Sequence, residues 1–130
     1  MKKLILTLLI TLSSLVSFAQ EPLIGRAYEF HFGKISYSDE IEWVKKPTPV
    51  DIIVQFNKGE IIIFSEEHQV YQITKEMGRR DETIMWEATD KRGIVCWIFV
   101  TIAEDYYQGQ LAVTIRYSDY AWMYICRESK

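Results

Sequence analysis

From Val50 onward the chain repeats one pattern: a short run of β-branched and aromatic residues, then a turn signal. That is the pattern of an antiparallel meander. Val50 to Phe56 and Glu60 to Phe64 flank Asn57-Lys58-Gly59, a hairpin loop in which Gly59 supplies the positive φ. Gln69 to Thr74 follows with Tyr71 and Ile73 on one face, and Lys75 to Glu82 reads as a polar loop. Thr83 to Thr89 alternates, with Ile84, Trp86 and Ala88 pointing one way. Asp90-Lys91-Arg92-Gly93 is a second hairpin loop ended by glycine. Ile94 to Ile102 is apolar on both faces, as in a strand covered on both sides or at a subunit contact. Leu111, Val113, Ile115 and Tyr117 face inward on the next run, and Ser118-Asp119 links it to a last strand over Tyr120–Arg127.

The amino-terminal third is less regular. Arg26 to Phe32 reads as a strand with Tyr28, Phe30 and Phe32 on one face. Ser38 to Val44 fits a short helix or a strand, because Asp39 and Glu42 have capping-box spacing. Lys45-Lys46-Pro47-Thr48-Pro49 should break regular structure. The expected fold is therefore all-β, a small antiparallel meander of seven or eight strands. Closure into a barrel or folding into a two-layer sandwich would both remove exposed edges. Sequential hairpins favour the barrel, lipocalin-like in general shape, although no lipocalin signature motif is present.

The first residues follow the order of a secretory signal. Met1-Lys2-Lys3 is positive, Leu4 to Val16 is apolar, and Ser17-Phe18-Ala19 ends in small residues at the cleavage positions. The apolar run is shorter than the ~20 residues a spanning helix needs. Cleavage after Ala19 is expected, leaving residues 20–130 as a single β-rich domain, exported to a periplasm or to the outside. The segment resembles the signals of bacterial exported proteins.

The chain carries a formal net charge of −3, and loss of Lys2 and Lys3 makes the remainder more acidic. Without a basic run it is a poor ligand for nucleic acid or for an anionic membrane surface. Export would permit a Cys96–Cys126 disulfide. In a meander, however, the two would lie near opposite ends of strands two ladder spacings apart, roughly 10 Å. Free, buried thiols are the expectation.

No catalytic constellation emerges. His31 lies between Phe30 and Phe32, and His68 follows Glu66-Glu67 in a turn, a fragment of a metal site that needs more ligands. Ser65 lacks a triad's acid and oxyanion hole, Cys96 sits in an apolar run, and the paired acids fall in turns. Nucleotide-binding glycine motifs are missing too. The expected protein is not an enzyme, has no cofactor and holds no metal.

Aromatic content is the distinctive feature, with 4 Trp, 8 Tyr and 6 Phe. In a small β domain large rings fill the core. They can also line a mouth for a small apolar or carbohydrate-like ligand. Candidate contacts are Trp43, Trp86, Trp97 and Trp122, together with Tyr106 and Tyr107 in the loop Glu104 to Gln110. A binding module is the leading expectation. The alternative is an envelope interaction or inhibitor protein acting through such loops.

Overall fold

The structure is a computed structural model that describes residues 23–102 and 110–128. Its strands are β1 (Leu23–Ile35), β2 (Ile41–Trp43), β3 (Thr48–Asn57), β4 (Glu60–Ile63), β5 (Gln69–Arg80), β6 (Thr83–Thr89), β7 (Val95–Ile102), β8 (Gln110–Arg116) and β9 (Tyr120–Glu128). From β3 to β9 each strand pairs antiparallel with the next. The ladder then closes, because β1 pairs with β3 on one edge and with β9 on the other. Eight strands form the barrel, and β2 is an extra strand on the far end of β1. The sandwich is excluded by this closure.

Side-chain alternation decides what fills the interior. Trp86, Tyr71, Phe56, Ile61, Ile84 and Ile98 are all inward and essentially inaccessible. An eight-stranded barrel is just wide enough for such side chains, so the interior is packed. At the end where β1 starts, Leu23, Phe56, Leu111 and Cys126 leave a void of only about 10 Å³. Among the described residues, the side chains packed inside leave the barrel interior no ligand-sized chamber.

Four local readings change. A bulge at Tyr28 interrupts the pairing between Ala27 and Glu29. Phe30 and Phe32 stay on the inner face, whereas the Tyr28 ring lies beneath the exposed Arg127, 4.6 Å from its guanidinium carbon. The Lys75–Glu82 stretch is not a loop: β5 runs on to Arg80 with bulges at Thr74 and Met77, and turns tightly at Asp81, whose φ is 54°. The Ser38–Val44 ambiguity resolves to a turn and the strand β2, with Asp39 at φ 66°. The proline stretch breaks the chain only as far as Pro47, since β3 begins at Thr48. Gly59 and Gly93 occupy the expected hairpin positions, with φ 70° and 80°.

Cys96 and Cys126 are both free and buried. Cys96 pairs with Ala88 near one end of the barrel, and Cys126 pairs with Leu111 near the other.

Candidate functional site

The packed core ends below an open cleft of about 700 Å³ at one mouth of the barrel. Three connections form the rim: Ser65 to His68 between β4 and β5, Asp90 to Arg92 between β6 and β7, and Tyr117 leading into β9. These turns meet because an antiparallel meander returns every second connection to the same end.

One amide organises the floor. Gln69 Nε2 donates to Tyr124 Oη at 2.9 Å and to Ser65 Oγ at 3.0 Å. Its Oε1 accepts from Tyr71 Oη at 2.5 Å and from Trp122 Nε1 at 3.2 Å. Both amide protons and both carbonyl lone pairs are thereby used, so the amide closes the core with no polar cost left over. Burial raises both the Tyr71 and the Tyr124 hydroxyl above the ordinary phenol value, so both stay protonated, Tyr71 donating to the amide oxygen and Tyr124 accepting from the amide nitrogen.

A second network builds the adjacent wall. Asp90 Oδ1 accepts from the backbone N–H groups of Arg92 and Ile94, at 2.9 and 3.0 Å, which holds the turn. Its Oδ2 accepts from Tyr117 Oη at 2.7 Å and from the Arg92 guanidinium at 3.0 Å. Burial alone would raise this carboxyl, whose side chain is only 9% exposed. That is the largest single influence on the group, but the hydrogen bonds from Tyr117, Ile94 and Arg92 together outweigh it, leaving a pKa of about 2. Asp90 is therefore a fixed anion, unsuited to giving or taking protons near neutrality. Beneath it, burial and the Asp90 charge push the Cys96 thiol up to about 12, so it is a poor nucleophile.

Aromatic rings stand beside the floor in a row. Tyr117 and Tyr120 stack at 5.3 Å, Tyr120 and Trp122 at 5.5 Å, and Phe32 lies 6.2 Å from Tyr120. Tyr71 and Tyr117 are buried, whereas Trp122 is part-exposed and lines the cleft. Glu66, Glu67, His68, Lys91 and Arg92 complete the rim with charges of both signs.

The four tryptophans part company. Trp122 is in the cleft, and Trp86 lies in the core as a packing residue. Trp97 is on the outer face of β7, and Trp43 is on β2 outside the barrel, edge-on to His31 at 6.4 Å. Tyr106 and Tyr107 lie outside the described residues. The strand ends flanking their loop, Ile102 and Gln110, are at the end of the barrel opposite the cleft. Sequence reasoning missed Gln69, Asp90 and Tyr71 as site residues; the Asp-Lys-Arg-Gly turn was the one available signal for Asp90.

Among the described residues neither histidine is hydrogen-bonded to an acid. His31 Nε2 is 3.7 Å from Glu29 Oε2, beyond hydrogen-bond reach, and exposed His68 meets the Phe64 ring edge-on at 4.9 Å. Among the described residues no three potential ligands converge on a metal position. No family model, curated protein or solved structure matches the chain.

Proposed function

We propose that this protein is an exported, non-enzymatic binding module whose mouth cleft takes a small hydroxyl-rich, carbohydrate-like ligand. The observation that carries the reading is Trp122, a part-exposed ring in a concave cleft whose rim is set with Glu66, Glu67, His68, Lys91 and Arg92. Aromatic faces pack on the C–H faces of sugar rings, while rim side chains satisfy hydroxyl groups. A volume of about 700 Å³ suits one or two such rings. The packed interior counts against a purely apolar ligand, which would need an enclosed dry chamber. Asp90 as a permanent anion and the inert Cys96 support binding over catalysis.

The test is native mass spectrometry of protein purified from its producing cells, followed by titration of the neutral oligosaccharides it identifies, read by tryptophan fluorescence. A saturable response lost in Trp122→Ala and kept in Trp43→Ala is the expected result. Because Trp122 also packs against Tyr117 and Tyr120, Lys91→Ala and Glu67→Ala serve as rim variants that should weaken binding without altering the fold. A bare protein that responds to no hydroxyl-rich compound would overturn the reading.

A further inference from the structure

The outside of the barrel is uneven in a way that barrel closure does not require. On β3 the outward Asp51 and Gln55 flank Ile53, and on β1 Arg26 pairs beside it, so polar groups break up that face. On β7 the outward residues Val95, Trp97, Phe99 and Thr101 carry no charge, and Val95 is 44% exposed. The ladder extends this face sideways: Phe99 is flanked by Met85 on β6 and Thr114 on β8. It is also grooved rather than smoothly convex, with a trough of about 410 Å³ bordered by Met85, Trp97, Phe99 and Arg116.

Charge gathers on this face around Trp97 and at the edge of the trough, where Asp39 sits beside Arg116. Trp97 pairs with Glu87 on one side and with Arg116 on the other, so a single rung reads acid, indole, base. A twofold axis lying in the interface along β7 would set Trp97 and Phe99 against their own copies. It would also bring each Glu87 over the other copy's Arg116. An isologous contact needs this kind of self-complementarity. The Arg116 guanidinium already bonds Asp39 at 2.7 Å, which holds it at the rim of the trough. A lipid-facing role is disfavoured, because Arg26, Asp51, Gln72 and the exposed Arg127 break up the outer face and leave no continuous apolar band around the barrel.

We propose that the outer face of β7 is the interface of a twofold homodimer, with Trp97 and Phe99 at its centre and Glu87–Arg116 pairs across it. This does not depend on the mouth cleft or on any ligand. Sedimentation of the full protein at tens of micromolar should give twice the chain mass. Phe99→Glu should halve it without loss of the β-sheet circular dichroism. Should that variant fail to fold, cysteine pairing decides: Phe99→Cys, on the axis, should form an interchain disulfide on mild oxidation, whereas Ile53→Cys on the outside of β3 should not. Glu87→Arg should weaken dimerisation, and the double exchange Glu87→Arg with Arg116→Glu should restore it. A monomeric wild type, or a dimer untouched by Phe99→Glu, would overturn the proposal.

Discussion

The hydroxyl of Tyr117 donates to Oδ2 of Asp90 across 2.7 Å, tying the residue after β8 to the turn between β6 and β7. These two positions are remote in sequence, and the bond fixes one wall of the cleft. Asp90→Ala removes four hydrogen bonds at once and takes away the carboxylate that accepts from Tyr117. The expected cost is about 1–3 kcal/mol, measurable by urea unfolding.

The same carboxylate should leave a mark on acid stability. Its folded pKa, about 2, lies below the ordinary aspartate value, so the group stabilises the fold at neutral pH. That contribution is complete above about pH 4 and is lost as pH falls through about 2. After discounting for screening at the rim it is worth about 1 kcal/mol. Unfolding curves of wild type and Asp90→Asn should therefore converge between pH 4 and pH 2. A constant gap across that range would mean the carboxylate is not held as described.

Gln69 is the keystone of the floor. Gln69→Leu keeps the volume but leaves the hydroxyls of Tyr71 and Tyr124 and the indole N–H of Trp122 without partners. About 2–4 kcal/mol of stability should be lost, more than for truncating an exposed glutamine such as Gln72. Trp86→Ala, entirely in the core, should cost about 3–5 kcal/mol through the cavity it leaves. Thermal melts of the two variants test both values.

Burial holds the Cys96 and Cys126 thiols up at about 12. Neither should react with iodoacetamide in the native protein at pH 8, and both should react after denaturation without a reductant. An unreactive denatured chain would show a bridge, and hence a different strand order.

Gly33 is where β2 rests on the barrel. A Cβ there would lie 2.6 Å from Ile41 Cγ2 and 3.0 Å from Trp43 Cε3, against a strand whose own backbone is 3.1 Å away. Gly33→Ala should push β2 outward, costing about 1–3 kcal/mol and shifting Trp43 emission to the red. Emission unchanged from wild type would show that β2 does not rest on Gly33.

Period-two alternation was readable at Ile84-Trp86-Ala88 and Leu111-Val113-Ile115-Tyr117, and the structure keeps each of these inward. Alternation is a local property of extended backbone, so it survives whatever the strand later pairs with. The hairpins at Gly59 and Gly93 were equally legible, because a positive φ selects the residue directly. Tyr28 was misplaced since a bulge inserts one residue into the count without any signature of its own. The charged half of β5 read as a loop for a related reason: Lys75 to Arg80 makes a solvated strand paired to β6 by backbone alone.

By itself, then, the sequence determined most of the strand-and-turn grammar, the inward residues of β6 and β8, and the separation of the two thiols. Tertiary structure decided the rest: closure of β1 on β9, the assembly of Gln69, Asp90, Tyr117 and Trp122 at one mouth, and the dispersal of the other tryptophans. The physical reason is that closure joins distant strands through backbone hydrogen bonds that any residue can make. The meander order sets which turns share an end, but only closure brings those turns together around one mouth, and closure is not written in any single stretch of side chains.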